Sequence, residues 1–162
     1  LLDESSYNGE EVRILTSREY DDYYMFSVVA QEQLKEIGMN VELDVYDWST
    51  VLERRDDPSA YEIFVSGWGI RPTPLQYPFL DSRAEWPGWT DSEEIDRLID
   101  EIQATTDQDE VKALVAELQE EVWTYLPIIK PGNKMDLMAY RTEISGFDTL
   151  VGPVLWNVSI SE

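Results

Sequence analysis

Cysteine and histidine are both absent from the 162 residues. Without cysteine there is no disulfide, no thiolate nucleophile and no cysteine-type zinc site, while the redox compartment is left open. Without histidine, the Ser-His-Asp and Cys-His arrangements are excluded, together with histidine zinc sites and the one side chain that titrates unperturbed near neutrality. Any catalysis would have to run on carboxylates, tyrosine, lysine or hydroxyls. Lysine is scarce too: Lys35, Lys112, Lys130 and Lys134 are four of 12 basic residues, set against 34 acidic ones, for a net charge of −22. That field repels nucleic-acid phosphates and anionic headgroups, so neither is expected as a partner. No run of about 18 apolar residues offers a membrane-spanning helix. Leu1-Leu2-Asp3-Glu4-Ser5-Ser6 has no basic n-region or apolar h-region of a signal peptide, so the chain reads as cut from something larger.

What is present specifies a folded domain. Hydrophobic residues make up 43% and aromatics 12%, including 6 Trp and 9 Tyr, enough to build a core in a chain of single-domain length. Carboxylates recur on nearly every expected exposed face, as in Glu10-Glu11, Asp21-Asp22, Asp56-Asp57 and Glu120-Glu121. A solvated, soluble surface accounts for this, and so does adaptation to high salt, where screening suppresses self-repulsion. A salt titration of the melting temperature separates the two.

The hydrophobic periods alternate between strand and helix. Residues 11–16 read as a strand, and the apolar spacing of Tyr23, Phe26, Ala30, Leu34 and Ile37 predicts a helix over 19–37, with Gly38 at its C′ position. Alternation predicts further strands over 41–46 and 61–66. Between them Asp47 or Ser49 caps a short helix over 48–55. A helix capped by Thr90 or Asp91, with a capping box from Glu93 or Glu94, carries Ile95, Leu98, Ile99 and Ile102. A second, capped by Asp107 and stopped at Pro127, carries Val111, Leu114, Val115, Leu118, Val122 and Tyr125. Short strands are expected at Ile128-Ile129, Leu137-Met138-Ala139-Tyr140 and Val154-Leu155-Trp156. The alternation is that of an α/β architecture, a mixed sheet flanked by helices.

Open α/β sheets bind ligands outside the carboxyl ends of their strands, which singles out the segment after the strand over 61–66. There Gly67 and Gly69 let a ligand approach the main chain, Trp68 offers a flat apolar wall, and Arg71 offers a forked donor for an anion. Ile70, Trp86 and Trp89 are candidates for the same groove or for a lobe interface. Set against this, Trp68 can plug a core and Arg71 can offset nearby acids. Asp107-Gln108-Asp109-Glu110 fails as a calcium loop, because Lys112 stands where glycine is required. Asn157-Val158-Ser159 matches a glycosylation sequon and places Asn157 near the surface.

In order and spacing the chain resembles the C-terminal lobe of the family 5 solute-binding proteins of ABC importers. The residues that carry this are Leu1-Leu2-Asp3-Glu4 through Tyr7-Asn8-Gly9-Glu10-Glu11-Val12, the segment Gln33 to Leu43 with its Ile37-Gly38 step, Asp47-Trp48 with Leu52, and Tyr61 to Gly69 ending in Gly67-Trp68. Trp89 to Ile99, Asp107 to Pro127, and Ile144-Ser145-Gly146-Phe147 continue the match. The resemblance implies one lobe, residues 1–162, of a type II (cluster C) periplasmic-binding-protein-like clamshell, with the segment from about 152 belonging to or crossing toward the missing N-terminal lobe. It implies a peptide as solute, with sugar, metal chelate or an anionic solute as others, and ABC permease subunits as partners. It further implies a place in the periplasm or at the outer face of the membrane, anchored or secreted through segments outside the chain, and no catalysis, cofactor or metal. One position departs: three residues after the Trp of the Gly-Trp pair, peptide-binding members carry an Asp that receives the α-ammonium, and here Arg71 stands. An ammonium beside a guanidinium is repelled, so the solute brings an anionic group, its amine is held elsewhere, or Arg71 turns outward. The competing functions are a carboxylate-based hydrolase, which requires two converging acids with one raised pKa, and a protein-interaction module with a flat apolar patch.

Overall fold

The computed structural model describes residues 2–135, 137–149 and 152–160. Two compact units are distinguished, one running to Trp68 and including Asp81–Asp91, the other comprising Gly69–Leu80 and the chain from Ser92 onward.

The first unit is built on a parallel three-stranded sheet. Strand β1 (Glu11–Ser17) leads to helix α1 (Asp21–Glu36), strand β2 (Asn40–Tyr46), helix α2 (Trp48–Arg54) and strand β3 (Ile63–Phe64), and the strand order is β2-β1-β3. Successive side chains of a strand point to opposite faces, and β1 uses this directly. Ile14 packs with Val41, Val65 and the α1 residues Tyr23, Phe26, Ala30 and Leu34. Leu15, on the other face, packs with Val51 of α2, Ala60 and Tyr61. The central strand is therefore covered on both sides. Gly38 lies at φ +98°, the left-handed conformation expected after α1. Asp47 caps α2, its carboxylate accepting from the Thr50 N–H at 3.0 Å. Hydrogen bonds from the Ser49 and Thr50 hydroxyls and the Thr50 N–H hold that carboxyl at about 2, below its usual 3.8. Because the folded value is depressed, the stability Asp47 contributes is complete above pH 4 and is lost as pH falls toward 2.

The strand expected over 61–66 is regular only over Ile63–Phe64. Single backbone bonds extend it, Glu62 N–H to Arg13 O and Val65 N–H to Leu15 O. Tyr61 instead turns into the core, its hydroxyl donating to Arg55 O at 2.7 Å, and burial pushes its pKa up to about 12.

The second unit rests on α3 (Glu93–Ala104) against α4 (Gln108–Tyr125). Ile95, Leu98, Ile99 and Ile102 are all buried around Leu118, with Leu80 closing the cluster. The cap of α3 is Ser92, not Thr90 or Asp91, and its hydroxyl accepts from Ile95 N–H at 3.3 Å. With Ser92 as cap, the third helical residue is Ile95, so no capping box forms and Glu94 pairs with Arg97 instead. Asp107 caps α4 as expected, and Leu126, at φ +59°, ends it before Pro127.

Beyond α4 the expected strands are replaced by two short antiparallel ladders, β4 (Ile144–Ser145) with β7 (Ser159–Ile160) and β5 (Asp148–Thr149) with β6 (Pro153–Val154). Ile128-Ile129 lie between Pro127 and Pro131, which lack N–H donors, and neither they nor Leu137 to Tyr140 are paired as strands. Of Val154-Leu155-Trp156 only Val154 is in a strand. Gly146, at φ +72°, sits where a Cβ would come within 2.0 Å of Asn157 O, so the ladder of β4 and β7 closes only around glycine.

Candidate functional site

In a parallel sheet every strand ends on the same edge. Here the connection from β1 leads to β2 on one side and the next leads across to β3 on the other, so the strand order reverses at the carboxyl end of β1. Such a reversal splays the outgoing loops and opens the crevice in which α/β sheets bind ligands.

The loop leaving β3 carries Gly67 and Trp68. The space beside the Gly67 α-carbon is filled by the Tyr23 phenol: a Cβ there would come within 2.5 Å of Tyr23 Oη and 3.3 Å of its Cζ. Gly67 thus accommodates an aromatic ring of its own unit, a role distinct from the ligand approach expected from the sequence. Gly67→Ala is expected to destabilise the protein by about 1–3 kcal/mol through overpacking. In a denaturation series, Tyr23→Phe should recover part of that loss, and strictly additive effects of the two changes would contradict this packing.

Trp68 is 39% exposed and meets Trp86 edge-on, with ring centroids 5.3 Å apart. Trp86 is in turn covered by the Arg55 guanidinium, 4.8 Å from its ring centroid. Trp86-Pro87-Gly88-Trp89 forms a tight turn closed by Trp89 N–H to Trp86 O at 2.9 Å, and proline followed by Gly88 at φ +106° fits a type II turn. Trp89 itself adopts φ +44°, a strained conformation for a bulky residue. It stacks on Tyr61 at 6.2 Å and is 38% exposed. Neither Trp68 nor Trp89 is sealed in the core.

Gly69, Ile70 and Arg71 belong to the second unit. Nothing lies within 4 Å of a Cβ built on Gly69, and Ile70 is 78% exposed. The Arg71 N–H donates to Tyr77 Oη at 3.0 Å, and Tyr77 packs against the α3–α4 cluster, so this part of the loop is tied down by its backbone while Arg71 stays exposed.

The geometry adds a cluster the sequence reading did not assign to the site. Tyr20, Tyr23 and Trp48 converge beyond the strand ends, with Tyr20 5.0 Å from each of the other two and Tyr23 5.7 Å from Trp48. Trp48 is held there by its backbone N–H, which donates to Glu19 Oε2 at 3.2 Å. Tyr20 and Trp48 each follow a strand within three residues, the signal that could have revealed them.

Several acids bear on the hydrolase alternative. Asp47, Asp57, Glu62, Asp81 and Glu94 are all displaced toward lower pKa, chiefly by side-chain hydrogen bonds, from Arg13 in the case of Glu62 and from Arg97 in the case of Glu94. A general acid needs the opposite displacement. Glu101, Asp107 and Glu110 line an open depression of about 470 Å³ at the turn from α3 to α4. Among the described residues no helix is long and apolar enough to cross a membrane, and no group of three or more carboxylates is placed to hold a metal ion.

No protein-family model matches the chain. It is 27% identical over 167 residues to a probable peptide ABC transporter periplasmic-binding protein, y4tO, of Sinorhizobium fredii, covering 98% of this chain and 32% of that protein. It is 28% identical over 113 residues to the oligopeptide-binding protein AppA of Bacillus subtilis, covering 62% of this chain and 21% of AppA. In fold it matches the dipeptide-binding protein from Pseudoalteromonas sp. SM9913, solved in complex with Met-Leu, with a TM-score of 0.74 and 22% identity over 99% of this chain and 34% of that one. The chain thus spans about a third of the length of these proteins. In sequence the chain is thus similar to peptide-binding proteins of ABC transporters, in line with its resemblance to the family 5 solute-binding proteins, and it shares the fold of a dipeptide-binding protein.

Proposed function

We propose that the chain is the C-terminal lobe of a solute-binding protein of an ABC importer, which captures a peptide or a related small solute between two lobes and delivers it to the permease. The observation that carries this reading is the similarity to a peptide-transport protein along 98% of the chain. Solute would contact both lobes and shift the hinge toward the closed form, by no more than its differential affinity for closed over open. The relatives' names support a location in the periplasm or at the outer face of the membrane. Anchoring, by lipid or otherwise, would fall to other segments of the polypeptide, and the acidity suits a strongly saline setting.

This lobe would supply Gly67, Trp68, Gly69 and Arg71, with Ile70, Trp86 and Trp89 as further wall. The aromatic cluster of Tyr20, Tyr23 and Trp48 on the same strand edge suits an apolar side chain of the solute. Exposed Arg71 favours a solute that presents a carboxylate or other anionic group.

The test uses the full-length polypeptide, screened by melting temperature against neutral, basic and acidic peptides, sugars and metal chelates. At a hundredfold excess over Kd a bound solute stabilises by about 2.7 kcal/mol, a clear shift. Acidic or free-carboxylate peptides are expected to give it and to be recovered unchanged. A solute recovered cleaved would favour hydrolysis instead. In Arg71→Ala, affinity for the acidic solute should fall on the order of tenfold, the effect of losing a charge-assisted hydrogen bond. Unchanged affinity for every solute would remove Arg71 from the site.

A further inference from the structure

At the carboxyl end of β1, where the strand order reverses, the crevice has a side chain of the protein itself as its floor. Tyr23 lies in the first turn of α1, and its ring is enclosed on three sides, all within the first unit. Tyr20 and Trp48 flank it at centroid distances of 5.0 and 5.7 Å and stand 5.0 Å from each other. Beneath it is the buried cluster of Ile14, Val41 and Val65. On the third side the main chain at Gly67 comes so near that a Cβ there would lie 2.5 Å from Tyr23 Oη and 3.4 Å from its Cε1. The turn that carries the ring is itself fixed, since the buried Ser27 hydroxyl donates to Tyr23 O at 2.8 Å and Tyr24 N–H donates to Tyr20 O at 3.1 Å.

Those distances decide what the cluster can accept. Carbon atoms in contact sit about 3.5–4.0 Å apart, so a group inserted between two ring faces needs them roughly 7–8 Å apart. At 5.0–5.7 Å the three rings already touch one another, and no slot is left between them. Opening one means driving Tyr23 into the Ile14 cluster or against Gly67, and both are closely packed. Only the outward face of the cluster is available, and Tyr20, 41% exposed, provides it.

We infer that Tyr23 sets selectivity for the solute: its phenol is the fixed floor of this crevice and limits the solute there to a small side chain of alanine size. This deepens the reading proposed above and rests on it, since it takes the solute as a peptide bound at this strand edge. A methyl group can lie on the apolar outward face, whereas an aromatic side chain needs the volume that the Tyr23 ring occupies. Gly67 belongs to the same device, because any side chain there would displace the ring.

The experiment uses the full-length polypeptide and the acidic tripeptides Ala-Ala-Glu, Phe-Ala-Glu and Ala-Phe-Glu, with Kd read by calorimetry in the unsubstituted protein and in Tyr23→Ala. In the unsubstituted protein Ala-Ala-Glu is expected to bind, and at least one phenylalanyl peptide to bind about tenfold more weakly or worse. In Tyr23→Ala that same peptide should gain about tenfold, so that the ratio of the two affinities falls to near one, a change that a merely structural role would not produce. Tyr23→Leu, which keeps an apolar contact with the core, should move the ratio in the same direction and carries the test where the alanine variant does not fold. Equal affinity of all three peptides for the unsubstituted protein, a ratio that persists in both variants, or a loss by the same factor for every peptide would each overturn the assignment. The premise fails differently. If none of the three peptides binds the unsubstituted protein, the peptide reading falls and the inference with it, whereas binding without discrimination leaves that reading standing and removes only the role of Tyr23.

Discussion

Replacing Ile14 with alanine should destabilise the protein by about 2–5 kcal/mol, and Ile14→Val by about 0.5–1.5 kcal/mol, in urea denaturation. Ile14 has no exposed surface and stands opposite Leu43 of β2 and Ile63 of β3 in the middle of the sheet, with Val41, Val65 and the apolar face of α1 packed on it. Alanine removes three carbons from a site bounded by two flanking strands and a helix, so the surroundings can collapse only partly and a cavity cost adds to the lost burial. The consequence reaches the candidate site. The loops bearing Tyr20, Trp48 and Gly67 all leave the carboxyl edge of this sheet, and Tyr23 packs on the Ile14 cluster itself, so loosening β1 should also weaken solute binding. A loss below about 1 kcal/mol for Ile14→Ala would show that β1 is not the centre of this core.

Leu98→Ala should cost a similar ~2–5 kcal/mol, through the second unit. Leu98 is almost fully buried on α3 between Ile95, Ile99 and Ile102 and faces Leu118 of α4. Among the described residues no strand residue enters the apolar cluster of this helix pair, so its stability depends on that seam. Lys112→Ala is the control: its side chain is 75% exposed and pairs only with Asp109, so it should change stability by less than about 0.5 kcal/mol. If Leu98→Ala is as mild as Lys112→Ala, the seam is not where the structure places it.

Much of this was legible in the residues. The alternation over 41–46, the three- and four-residue spacing in α1, α3 and α4, the caps at Asp47 and Asp107 and the stop at Pro127 are local signals, set by backbone geometry within a few residues of themselves, and the structure repeats them. The failures were of another kind. β3 is two residues long because Tyr61 finds a better place in the core than in a strand, a choice made by Arg55 O, six residues back, and by Leu15, which lies far from it in sequence. Of the strands expected after α4, Val154 alone found a partner, Asp148 of β5, and the others, among the described residues, have the right composition but no paired neighbour. The fold also adds what no local signal carries, the Tyr23 phenol filling the space beside Gly67.

The sequence by itself determined the α/β alternation, the exclusion of histidine and cysteine chemistry, the repulsion of polyanions and the similarity to peptide-binding proteins, because each of these is a property of residue type or short-range spacing. Only the tertiary structure decided that the strand order reverses at β1, that Tyr20, Tyr23 and Trp48 meet at that edge, and that among the described residues no side chain after Leu118 is fully buried. Those are facts about which distant segments become neighbours, and strand order and burial are fixed by long-range packing that no local pattern encodes.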